Sequence, residues 1–188
     1  MSSERAAPLI WDTIERYFAL LQAHAPAERM REAMLTDDFR TGFVDGLIWQ
    51  GEQGLRDFLE ARAEFFYESH TVEQMSRPER LPDGRWRAHT RLEFFLRHRL
   101  DGSPVSDTFT GKAFHVWEFA PPLEPADAPG DGRSAEAPDD APGDGRSGDG
   151  TDGGWRVAAQ LVEGFAALDA NARRLFSQPA SGLNLDDR

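Results

Sequence analysis

No cysteine occurs in the sequence. Disulfide staples, a thiolate nucleophile and thiolate metal ligation are therefore excluded. Basic residues are also scarce: 21 Lys and Arg stand against 33 Asp and Glu, a formal net charge of −12. A surface of that sign does not neutralise phosphates, so no nucleic-acid partner is expected. Anionic membrane repels it for the same reason, and no membrane partner is expected. A long apolar run is missing as well. The stretch MSSERAAPLIWDTIERYF sets Glu4, Asp12, Glu15 and Arg16 among its apolar residues. That pattern is neither a signal peptide nor a membrane span, and a cytoplasmic protein is expected. No glycine-rich phosphate loop, nucleophile elbow or dinucleotide fingerprint occurs. His70, His89, His98 and His115 do not fall at a metal-ligand spacing. No cofactor and no metal are expected.

What is present suffices for one core. Of the 188 residues 39% are hydrophobic, and 13 Phe and five Trp are among them. Leu9 to Ala23 reads as a helix, with Trp11, Ile14, Phe18 and Leu21 on one stripe and Pro8 in the first turn. A second helix fits Ala27 to Met34, with Met30, Ala33 and Met34 inward. A third runs from Glu52 to Phe66, where Leu55, Phe58, Leu59, Arg62 and Phe66 share a face. Between the second and third, Phe39 to Val44 reads as a short strand, and Phe39, Thr41, Phe43 and Asp45 point one way.

The pattern then changes to period two. His70 to Ser76, Arg85 to Arg99, Ser106 to Phe119 and Trp155 to Phe165 read as strands, with a turn at Asp101-Gly102-Ser103-Pro104. The two long strands fix their own register. Setting Arg87 opposite Glu118 and Glu93 opposite Lys112 matches charges on one face. The other face then sets Phe94 against Gly111, Leu92 against Ala113 and Ala88 against Trp117, large against small. Residues 121–154 break the pattern. They hold nine acidic residues and two arginines, and the octapeptide Asp127 to Ser134 recurs as Asp140 to Ser147. With almost nothing to bury, this insertion is expected to be disordered. The expected organisation is a single α+β domain over residues 9–120 and 155–176, the insertion, and a flexible tail at 177–188.

The order of these elements carries a resemblance. Ile14 to Leu21 (IERYFALL), Leu35 to Phe39 (LTDDF), Trp49 to Leu59 (WQGEQGLRDFL), Gly111 to Phe119 (GKAFHVWEF) and Gly154 to Val157 (GWRV) together resemble the SnoaL-like branch of the nuclear transport factor 2-like superfamily. The resemblance implies a cone-shaped, curved mixed β-sheet packed against three N-terminal helices, the cystatin-like or nuclear transport factor 2-like roll. It implies a pocket at the open end. It also implies a cofactor-independent acid–base isomerase, cyclase or dehydratase acting on a hydrophobic oxygenated metabolite. The same fold serves non-catalytic ligand-binding proteins and accessory subunits resembling those of ring-hydroxylating dioxygenases, so the fold alone does not choose.

The candidate site follows from strand parity. His115 lies on the inner face opposite Thr90, with free volume expected before its ring. If Trp155 faces Phe119, Ala159 is its other neighbour. A buried imidazole there has a perturbed pKa, read here as suiting proton transfer near neutrality. Phe94 and Trp117 share the inner face, and Trp49 is placed at the mouth. By resemblance, Tyr17 matches the helix tyrosine that donates to a substrate oxygen in ketosteroid isomerases, and His115 stands where those proteins carry an acid. Asp45, by parity with Phe43, is a candidate base at the pocket mouth. The isomerase base itself would align near Phe43, which cannot act as one. Glu163 follows Leu161 by parity toward the pocket rim, and a solvated strand end is the favoured reading of it. Phe95, Phe114 and Val116, with Val162, form an outer apolar patch, and a homodimer through the outer sheet face is expected. The other partner is a hydrophobic small-molecule ligand.

Overall fold

An apolar stripe at three- and four-residue spacing makes the first helix, α1 (Ser3–Gln22), which buries Ala6, Ile10, Ile14, Tyr17, Phe18 and Leu21. In this computed structural model, which describes residues 1–99, 104–122 and 154–177, the helix starts earlier than its proline suggests. Pro8 sits inside it. A proline there forfeits one hydrogen bond near a fraying end, and the burial of Ala6 and Ile10 offsets that loss. Ile10 takes the stripe position expected of Trp11, which is only partly buried. The turn at 101–104, the insertion at 121–154 and the tail at 177–188 fall, apart from a few end residues, outside the described residues.

Helix α2 (Ala27–Met34) buries Met30 and Met34 as its spacing predicts. Its C-terminal carbonyls are held by the Arg156 guanidinium, whose nitrogens donate to Arg31 O at 2.7 Å and Leu35 O at 2.9 Å. A cation there meets both the unpaired carbonyls and the negative end of the helix. Strands β1 (Leu35–Phe43) and β2 (Ile48–Gln50) form a hairpin, and helix α3 (Gly51–Arg62) follows. α3 stops four residues short of the expected Phe66. The aromatic run Phe65-Phe66-Tyr67 favours a pleated surface, and it opens β3 (Phe65–Met75). The remaining elements are β4 (Glu79–Arg80), β5 (Trp86–His98), β6 (Asp107–Ala120), β7 (Arg156–Leu168) and α4 (Ala170–Phe176).

The seven strands of the described residues make one sheet in the order β2-β1-β7-β6-β5-β3, with β4 paired to β5. β1 runs parallel to β7, and the other pairs are antiparallel. The β5–β6 register is the one the sequence dictates, with Arg87 opposite Glu118, Phe94 opposite Gly111 and Thr90 opposite His115. β7 departs from expectation. Phe119 faces Val157, not Trp155, and extra residues at Ala158, Glu163 and Ala166 interrupt its ladder with β6. Each bulge bends the strand and exchanges its faces. Ala159 therefore pairs with Glu118 and Arg40, both outward, and Gln160 turns inward between Trp117 and Thr41. His115 faces Val162 instead of Ala159.

The helices cover the concave face. One end of the cone is solid: Trp86, Trp117, Phe119 and Trp155 are buried and pack edge to face or stacked. The convex face is polar, with Glu118 between Arg40 and Arg87 at 3.1 and 2.8 Å. Glu163 is on that side too, 2.9 Å from His89 Nδ1, in keeping with the favoured reading of it as a solvated residue. Phe114 is 41% exposed there. Val162, expected beside it, lies on the inner face and lines the cavity described below.

Candidate active site

The cone's other end is hollow. A cavity of about 350 Å³ lies between the sheet, α1, α3 and α4. The walls are largely apolar, with Phe18, Phe58, Phe94 and Phe165 among the lining residues. Leu175 and Phe176 of α4 close part of its mouth, and the Phe176 ring stacks on Phe165 at 4.7 Å. α4 is placed by Asp169, whose carboxylate accepts from Ala172 N at 2.7 Å and so caps its N-terminus. Trp49 lines the cavity from β2. It is carried there by a hairpin that needs glycine at position 42: φ is +132°, and a Cβ would lie 2.1 Å from Leu47 O.

Among the described residues five polar side chains line this space: Thr41, Arg62, His70, His115 and Gln160. His115 is inward on β6 and 6% exposed, as parity predicts. Its Nδ1 lies 2.8 Å from Gln160 Nε2. The amide orientation follows from its other end, where Oε1 accepts from Thr41 Oγ1 at 2.7 Å and from the Tyr17 hydroxyl at 3.4 Å. With the amide placed so that its carbonyl meets these two hydroxyls, its nitrogen is the donor to Nδ1. The imidazole proton then sits on Nε2, the nitrogen left to the cavity. Burial, reinforced by the Arg62 guanidinium, pushes the His115 pKa down to about 3. The ring is a neutral N–H donor throughout the neutral range. This reverses the expectation of titration near neutrality.

Tyr17 is completely buried and packs edge-on against Trp117 at 5.3 Å. Its hydroxyl is spent on Gln160, it does not line the cavity, and burial pushes its pKa up to about 12. It orients the amide instead of meeting a ligand. Thr90 is opposite His115, but its hydroxyl accepts from Trp117 Nε1 at 2.9 Å, and neither residue reaches the cavity. Phe94 and Trp49 do line it, while Ala159 faces the other way. Asp45 is exposed in the β1–β2 turn and is not on the wall, because parity ceases to apply after Phe43. Among the described residues no Asp or Glu lines the cavity.

Two residues not assigned to the site complete it. His70 stacks on Phe18 at 4.5 Å, its Nδ1 is buried without a partner, and burial holds its pKa well below the usual value. The residue lines the cavity. Its inward direction could have been read from a strand beginning at Phe65, which sets His70 opposite Phe94. Arg62 ends α3 and bonds Glu68 Oε2 through Nη2. Burial pulls its pKa down to about 10, so it stays charged at neutral pH. An arginine on the apolar stripe of a helix was itself the signal. Among the described residues no group of three or more His, Cys, Asp or Glu is arranged to hold a metal, and no helix is long and apolar enough to cross a membrane.

A mixed sheet rolled into a cone around an apolar cavity, with helices over its concave face, defines the class: an α+β roll with an internal small-molecule-sized site. Comparison with solved structures gives that roll its name. A nuclear transport factor 2-like superfamily protein from Salmonella enterica serovar Typhimurium superposes with a TM-score of 0.53 at 14% identity, over 88% of this chain and 95% of that one. ActVI-ORFA from Streptomyces coelicolor gives 0.54 at 11% identity, over 86% and 97%. A type 2 hexachlorocyclohexane dehydrochlorinase gives 0.56 at 11% identity, over 88% of each chain. The chain has the nuclear transport factor 2-like fold, in agreement with the SnoaL-like resemblance of its sequence. No protein-family model matches it, and no curated protein matches it in sequence.

Proposed function

We propose that this protein is a cofactor-independent enzyme of the SnoaL-like kind, acting on a hydrophobic, oxygen-bearing small molecule by isomerisation, cyclisation or dehydration. The observation that carries the reading is His115: a neutral imidazole, capped at Nδ1 by Gln160, with Nε2–H left to an apolar cavity. A carbonyl placed against that donor would receive a hydrogen bond that strengthens as negative charge develops on its oxygen. A preorganised donor in a water-poor site acts most on the enolate-like transition state. His70 is the remaining ring on the wall that can take a proton, and its low basicity suits a substrate whose C–H is already acidic, such as a β-dicarbonyl. One neighbour in fold is a dehydrochlorinase by name, so the roll accommodates chemistry that removes a proton.

The second reading is a ligand-binding protein without turnover. It is favoured by the lack of any carboxylate among the described residues of the cavity wall. Deuterium exchange separates the two. β-Tetralone and benzoylacetone, incubated with the protein in D2O, should exchange their α-protons faster than in buffer. His115→Phe should lose about 100-fold of that acceleration, the cost of one oxyanion donor, while still binding. Binding without any acceleration would sink the catalytic reading and leave the ligand-binding one.

A further inference from the structure

Arg62 stands in the wall between two cavities. It borders the one holding His115 and also a second, of about 340 Å³, beneath the turn that follows α1. Its ion-pair partner, Glu68, has a side chain only 1% exposed. Glu68 borders the second cavity and not the first. The two members of the pair thus serve different spaces, and the first cavity meets the cation without its counter-ion. Among the described residues lining that cavity, Arg62 is the one with a full charge. Its hydrogen bonding is also incomplete. Nη2 is used by Glu68, Nε is buried with no partner, and no described residue accepts from Nη1. A guanidinium offers five donors in a rigid fork, and burying them unmet is costly.

We infer that the ligand of the main cavity carries a carboxylate, seated against the Arg62 guanidinium with its apolar body along Phe58, Phe65 and Phe94. This inference rests on the reading of the cavity as a ligand site and adds the charge class of the ligand. A carboxylate would take the donors that the protein leaves open, while Glu68 holds the guanidinium from the far side. The apolar rings supply the rest of the contact, with Arg62 already lying over the Phe58 ring at 5.1 Å. Because Arg62 stays charged until about pH 10, selectivity for the anion should persist through the neutral and mildly alkaline range.

Naphthoate and its neutral isostere naphthamide are the probes, titrated by calorimetry at neutral pH. Wild-type protein should bind naphthoate about tenfold more tightly than naphthamide, the worth of one charge-assisted hydrogen bond. Arg62→Met alone strands the Glu68 carboxylate and risks misfolding. The deciding variant is therefore Arg62→Met with Glu68→Met, which exchanges a buried pair for apolar residues of similar size. Its thermal transition should remain cooperative, and its preference for naphthoate over naphthamide should vanish. Equal binding of the two probes by wild type overturns this inference and leaves the cavity reading intact. A preference that survives in the double variant also overturns it, since another group would then hold the anion. Failure of both probes to bind wild type overturns the cavity reading along with it.

Discussion

Gln160 decides what His115 can do. Its amide links Tyr17 and Thr41 on one side to the imidazole on the other, so the way the amide faces sets the tautomer of the ring. Gln160→Glu should invert this arrangement. A carboxylate beside Nδ1 accepts where the amide donated, moves the ring proton to Nδ1 and leaves Nε2 as an acceptor. It also stabilises the imidazolium, so the His115 pKa rises from its depressed value. Nitrogen-15 NMR of histidine-labelled protein reads both effects. Wild type should show an unprotonated Nδ1 at neutral pH, and the variant a protonated one. A wild-type spectrum with protonated Nδ1 would mean the amide is turned the other way and His115 is a base, not a donor. His115 could be found from the sequence because alternation on a long regular strand is reliable. Gln160 could not, because it lies two residues beyond a bulge that exchanges the faces of β7. Arg62 was visible on its helix face but read as part of an apolar stripe, since nothing in a helical spacing reveals a counter-ion such as Glu68 on a later strand.

The elements differ in how well local patterning specifies them. The pairing of β5 with β6 is overdetermined by volume. Gly111 sits under the Phe94 ring, and a Cβ there would lie 2.6 Å from Phe94 Cζ and 2.6 Å from Ala167 O. Gly111→Ala should cost about 1–3 kcal/mol by overpacking, seen as a lower midpoint in urea with an unchanged slope. Adding Phe94→Leu should recover only part of it, because the clash with the backbone oxygen of β7 remains. Full recovery would show that the glycine is needed for the ring alone. This large-against-small fit was readable because both strands keep strict period two. β7 was not, since its extra residues Ala158, Glu163 and Ala166 obey no sequence rule and serve the curvature of the sheet. The ends of α1 and α3 were displaced for a related reason. Burial of Ala6 and Ile10 carries a helix through Pro8, and an aromatic run claims Phe65 and Phe66 for a strand. In each case tertiary packing overrode the local signal.

For the molecule as a whole, the consequence of burying neutral histidines is sensitivity to mild acid. His115 has a folded pKa of about 3 against an ordinary value of 6.5, and His70 is displaced in the same direction. Below pH 6.5 the unfolded chain therefore binds protons that the folded chain refuses. The stabilisation is fully present above that pH and is lost as the pH falls toward the folded value. At about pH 5 the loss from His115 alone is about 2 kcal/mol. The carboxylates with lowered pKa, such as Asp38 and Asp169, act in a different window, because their ordinary values are near 3.8 and they remain ionised at pH 5. Acidification also brings the chain toward its pI of 4.8 and relieves repulsion from the −12 charge, an effect of opposite sign. A variant with the same surface removes that complication. His115→Gln keeps an acceptor for the Gln160 amide and cannot titrate. At neutral pH it should melt within a few degrees of wild type. At about pH 5 it should be the more stable of the two by about 2 kcal/mol, a difference of about 4–8 °C for a chain of this size. Melting curves by circular dichroism at the two pH values test this directly. If wild type and variant lose stability in parallel, His115 takes up a proton in the folded state as readily as in the unfolded chain, and the buried, proton-refusing ring on which the proposed chemistry depends does not exist.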